Sequence, residues 1–103
     1  MQNLLKQVKE NLIIEYDSDN ELIHGYIRAA VDYAEKYQHR PKNYYQGEPL
    51  PETTRQAIIM LASHFYESRD GSTGGFFSDN PAAAQETQIA VDRLLKLDRD
   101  WQV

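Results

Sequence analysis

The chain contains no cysteine. This excludes a disulfide framework and a thiolate metal site, and it fits a reducing compartment. No apolar run approaches the ~20 residues that cross a bilayer. The start, MQNLLKQVKENL, lacks the apolar block and cleavage site of a signal peptide, so a cytoplasmic setting is expected. Basic residues are outnumbered, 11 Lys and Arg against 16 Asp and Glu, for a formal net charge of −5. A domain that grips DNA needs clusters of cations to neutralise phosphates, and none is visible. Internal repeats, low-complexity tracts and β-hairpin signals are also missing.

Catalytic and metal signatures are equally scarce. There is no nucleophile elbow, no glycine-rich phosphate cradle and no thiol nucleophile. Asp17-Ser-Asp19-Asn-Glu21 resembles the start of a calcium loop, but the sixth position is Leu22 and the twelfth is Arg28, where that loop needs Gly and Glu. His64 and Glu67 stand one helical turn apart, a spacing that suits two metal ligands, yet no third ligand is brought near by the sequence. His64 therefore reads as structural. Catalytic, metal and cofactor-binding residues are expected to be absent, and the protein is not expected to be an enzyme.

What is present is helical periodicity. Residues 51–70, PETTRQAIIMLASHFYESRD, form the organising stretch. Pro51 suits a first turn, Thr53 or Thr54 caps locally, and Glu52 places negative charge at the positive helix end. Ala57, Ile58, Leu61, Ala62 and Phe65 make a buried stripe, which Ile59, Met60 and Tyr66 widen until the helix is apolar on most sides. Such a helix is central and has neighbours on several faces.

Three further helices are expected. Residues 2–11 turn Leu4, Leu5, Val8 and Leu12 inward, with Lys6, Lys9 and Glu10 facing water. Ser18-Asp-Asn-Glu21 reads as a capping box opening a helix over 19–38, whose broad inner face carries Ile23, Tyr26, Ile27, Ala30, Val31, Ala34 and Tyr37. Gly25 within it either admits a close neighbour or has no special role. The last helix is surest over 86–98, with Asn80 and Pro81 as a possible opening; Val91, Leu94 and Leu95 face inward, with Leu97 as a further candidate. The fold class is thus all-α: a small bundle of about four helices around the long central helix 51–70, with two long loops, in a single domain 1–103.

The loops, 39–50 and 70–81, hold the candidate binding residues. Tyr44 and Tyr45 either dock on a partner or fold back onto the chain's own core. Phe76 and Phe77 interrupt a Gly-rich stretch, pinning it down or baiting another surface. Trp101 covers the core or anchors a partner.

Two blocks carry a family resemblance. Residues 8–37, VKENLIIEYDSDNELIHGYIRAAVDYAEKY, and residues 50–70, LPETTRQAIIMLASHFYESRD, resemble the opening and centre of the tailed-phage head–tail connector family. The closing VDRLLKLDRDW is similar to that family's terminal helix. Ser68 stands where the family pattern has Asn, and the loops 39–50 and 71–80 match nothing in it. The resemblance implies a structural protein of a phage or prophage virion. It implies an oligomeric ring, commonly dodecameric, assembled in the host cytoplasm and placed between the portal protein and the next tail-connector protein. DNA passes through its channel during packaging without specific binding. The acidic composition agrees with that, since an acidic lumen would not grip phosphates. Ring closure needs two different patches per protomer. Tyr44, Tyr45, Phe76 and Phe77 are candidates for one of them, and Trp101 is the candidate for portal docking. The alternative is a small helical protein-binding adaptor or regulator, monomeric or dimeric. A small DNA-binding packaging subunit is a third possibility, disfavoured by the charge.

Overall fold

In the computed structural model the described residues are 4–68 and 81–98, with side chains from residue 85 onward in the second stretch. They form five helices and no strand: α1 (Leu4–Leu12), α2 (Asn20–Tyr37), α3 (Tyr44–Gly47), α4 (Glu52–Ser68) and α5 (Pro81–Lys96). The chain is all-α, and α4 is its axis. Helices α1, α2 and α5 all pack on α4, and the single turn α3 packs on α2. Burial follows from this position: Ala57, Ile58, Ile59, Leu61, Ala62 and Tyr66 of α4 are buried, with Met60 and Phe65 half-buried. Few α4 positions are left for solvent, as expected of a helix with neighbours on three sides.

The other helices contribute one face each. Leu4 and Val8 come from α1, Ile23, Ile27, Ala30, Val31 and Ala34 from α2, and Val91 and Leu95 from α5. Ala30, Ala34, Ala57 and Ala62 are fully buried, and their small side chains let the helix backbones approach closely.

Several local expectations are corrected. Ser18 and Glu21 do not form a capping box: Asp19 is the N-cap residue of α2 and makes no side-chain cap bond. Its carboxylate instead accepts a hydrogen bond from the Tyr66 hydroxyl of α4, to which Tyr16 donates in turn at 3.1 Å. A tertiary bond has taken the group that would have capped the helix. Thr53 and Thr54 likewise do not serve as local caps; both hydroxyls donate to Asp98 beyond α5. Lys9 is not a solvent-facing lysine, with only 13% of its side chain exposed. Its ammonium donates to Asp17 at 2.7 Å and to Asn20 at 2.8 Å, which folds the α1–α2 turn over it. Leu97 points outward, 69% exposed, because α5 ends at Lys96 and the following turn rotates it off the inner face. Gly25 meets no neighbouring helix: a Cβ there would touch only the Arg28 guanidinium, at 3.8 Å.

Candidate interaction surfaces

The loop 39–50 is more ordered than its composition suggests. Two residues with left-handed backbone, His39 and Asn43, turn the chain sharply after α2. Asn and His adopt that conformation more readily than most residues. The turn delivers α3 onto Glu35, a carboxylate with 3% exposure that accepts the backbone amides of Asn43 at 3.1 Å and Tyr45 at 3.0 Å. A buried charge needs such partners, and this one receives the otherwise unpaired amides at the opening of α3.

The Tyr44–Tyr45 pair is split by this arrangement. Tyr45 folds inward with 3% exposure, its hydroxyl donating to Gln38 Oε1, and burial pushes its phenol pKa up. Tyr44 stays half-exposed, edge-on to Tyr45, with the Arg40 guanidinium 4.9 Å above its ring. Of the two, only Tyr44 offers surface. Phe76, Phe77 and Trp101 lie outside the described residues.

Behind Tyr45 lies a polar node that no hydrophobic pattern reveals. Gln38 is fully buried, and its carboxamide donates to Thr54 Oγ1 at 2.8 Å and to the Leu95 carbonyl at 3.0 Å. The Thr54 hydroxyl passes its proton toward Asp98 Oδ2 at 2.9 Å, and Arg40 donates to the Asp98 carbonyl at 3.1 Å. A second node ties Tyr33 of α2 to Asp92 of α5 at 2.7 Å, with Gln88 donating to both. Burial and the Asp92 carboxylate raise the Tyr33 phenol pKa to about 12.

Two outer surfaces stand apart from this core. One is a cleft of about 500 Å³ along the C-terminal half of α2 and the loop into α3, lined by Arg28, Val31, Asp32, Glu35, Lys36, Arg40, Lys42, Asn43 and Gln46. Lys36 pairs with Asp32 at 3.0 Å, and Glu35 is turned to the α3 amides, so Arg28, Arg40 and Lys42 set the sign of the cleft. The other is the turn between α1 and α2. It holds Glu15, Asp17 and Asp19, with Glu21 in the first turn of α2, and the Lys9 ammonium reaches in to pair with Asp17 at 2.7 Å. It also carries Ile13, 86% exposed, and Tyr16, 53% exposed. Hydrogen bonding to Lys9 holds the Asp17 carboxyl below the usual carboxylate range.

No group of three His, Cys, Asp or Glu is placed to hold a metal ion among the described residues, and none of their helices is long and apolar enough to cross a membrane. Burial lowers the His64 imidazole pKa. His64 and Glu67 border a shallow pocket shared with Asn11 and Ser63, whose side chains are bonded to each other at 2.8 Å.

These features define an all-helical module whose buried polar groups hold helices together and whose outer faces are charged. The chain belongs to the phage gp6-like head–tail connector protein family, whose family model matches residues 2–93. That family is structural, and it places the chain among virion components. No curated protein and no solved structure matches it.

Proposed function

We propose that this connector-family chain is a ring-forming subunit, one domain per protomer, that joins the phage portal to the next tail protein and leaves a channel for DNA. The family match over residues 2–93 carries this reading. A net charge of −5 supports passage of DNA without capture, since a polyanion sliding past an acidic wall is not held. Catalysis has no part in this role. Assembly takes place in the host cytoplasm, and the finished ring sits at the head–tail junction. Tyr44 belongs to the protomer contact, with Phe76 and Phe77 as further candidates, and Trp101 docks on the portal. A protomer of this size closes a ring through two unlike patches, so that each copy is both donor and acceptor.

Light scattering on a sizing column, over a range of protein concentrations and with cognate portal added, tests the proposal. A large discrete species that appears as rings by negative-stain microscopy is the expected result, alone or on the portal. A monomer that also fails to bind portal overturns it in favour of a monomeric adaptor. Trp101→Ala is expected to abolish portal binding while circular dichroism stays unchanged; full binding by that variant removes Trp101 from the contact.

A further inference from the structure

Ile13 has φ 60, in the left-handed region. For a β-branched side chain this is a genuine outlier, because Cβ crowds the following carbonyl. The conformation closes α1: Ile13 N donates to the Glu10 carbonyl at 3.2 Å and Ile14 N to the Lys9 carbonyl at 2.9 Å. The cap leaves the Ile13 side chain 86% exposed, an apolar group that gains nothing in its own core and is open to a neighbouring surface. Beside Ile13 stand the exposed Tyr16 ring and the exposed carboxylates of Glu15 and Glu21, while Asp17 is paired with Lys9 and Asp19 accepts from the Tyr66 hydroxyl. It is an apolar knob inside an acidic collar.

The cleft of about 500 Å³ at the other end of α2 has the opposite character. Val31 contributes to its floor, and Arg28, Arg40 and Lys42 give it positive sign in a chain of net charge −5. Arg40 Nε is buried without a hydrogen-bond partner. The two surfaces occupy different stretches of one rigid helix, with Glu21 and Arg28 about 10 Å of rise apart, so knob and cleft of one copy cannot close on each other. They can meet between copies, and an unlike pair repeated around a circle closes a ring.

We propose, resting on the ring-forming role above, that the 13–22 turn of one copy docks in the α2–α3 cleft of the next. The acidic collar faces Arg28, Arg40 and Lys42, and Ile13 and Tyr16 enter toward Val31. A nucleic acid is the poorer occupant. Asp32 and Glu35 line the same cleft, and a backbone of phosphates has no use for an apolar knob.

The test reverses charge at exposed residues that make no described tertiary bond. Glu15→Lys with Glu21→Lys alters the turn, and Arg28→Glu with Lys42→Glu alters the cleft. Each double variant is expected to remain monomeric at concentrations tenfold above those at which the wild type assembles, with unchanged circular dichroism. Mixing the two is expected to restore an assembly in which they alternate, as is a single chain carrying all four changes. Wild-type rings that persist in both variants, or a mixture that stays monomeric, overturn the contact while leaving the ring intact. A wild type that never associates overturns the ring itself. Should a charge reversal unfold the chain, cysteine is introduced instead into this cysteine-free sequence. Glu15→Cys with Gln46→Cys on one chain is expected to give a disulfide ladder on oxidation that neither single variant gives, and rings without a ladder refute the contact. Binding of a DNA duplex at low salt that is lost in the cleft variant, with assembly unaffected, would reassign the cleft to nucleic acid.

Discussion

Gln38 Nε2 donates to Thr54 Oγ1 across 2.8 Å in the fully buried interior, joining the end of α2 to the start of α4. The same nitrogen reaches the Leu95 carbonyl at 3.0 Å, and its carboxamide oxygen accepts from Tyr45. One side chain therefore fastens α2, α3, α4 and α5 at one end of the bundle.

Gln38→Ala strands the Tyr45 hydroxyl and opens a void. It is expected to cost about 2–4 kcal/mol of unfolding free energy, from unpaired polar groups plus a cavity. Gln38→Leu restores volume but not the bonds and is expected to cost less than Gln38→Ala. Urea titrations of the three proteins check the ranking, and equal midpoints would show that the node contributes nothing.

Gly25 sits within α2 with room for a Cβ, which would meet the Arg28 guanidinium at 3.8 Å, an ordinary van der Waals contact. Gly25→Ala is expected to stabilise the protein by about 1 kcal/mol, because alanine restricts the unfolded chain and fits the helix. For a chain of this length that is roughly 4–8 °C in Tm. A lower Tm would show that a Cβ does not fit at this position.

Tyr33 gives a pH signature. Its folded pKa of about 12 lies above the ordinary 10.0, so the folded state favours the neutral phenol. The stabilisation is complete below pH 10 and is lost as pH rises toward 12. Tyr33→Phe is expected to be less stable than wild type at pH 8, and the difference is expected to shrink as pH rises through that window. Denaturant midpoints from pH 8 to pH 11.5 measure it; a constant difference would separate Tyr33 from the alkaline loss.

Ile13→Gly relieves the left-handed strain and gives up almost no burial. Stability is expected to rise by up to about 1 kcal/mol. Association between copies is expected to weaken in the same variant, since the apolar knob is removed. Thermal unfolding and light scattering on one sample separate the two effects. A variant that is both less stable and fully associated would contradict the role given to this residue.

The helices were readable because burial repeats every three to four residues: Ile23, Ile27, Ala30, Val31 and Ala34 on α2 are buried as that spacing requires. Polar groups were not readable in the same way. Gln38, Thr54 and Glu35 are letters that pattern reading sends to the surface, and only the tertiary arrangement shows that each is buried among partners. Lys9 was missed for the same reason: Asp17 and Asn20 lie in a turn whose path the sequence does not specify. The cleft was hidden by averaging. An overall charge of −5 conceals a local positive surface made by residues spread from Arg28 to Lys42. Tyr44 and Tyr45 are adjacent in sequence and opposite in fate, because the short α3 turns one inward and leaves the other at the rim.

Asp19 gives its carboxylate to Tyr66 and leaves the first amides of α2 without a side-chain acceptor, whereas at the other end Gln38 N and Arg40 N close onto the Ala34 and Glu35 carbonyls. Side chains of α1 and α4 hold the start of the helix, but its backbone amides are less well capped than the carbonyls at its end. Deuterium enters such a helix from its start, and the exposed Glu21 and Leu22 should exchange well before 34–38. That start adjoins the Ile13–Leu22 turn. The contact proposed between copies would therefore set a yielding turn on one against a firm cleft on the next.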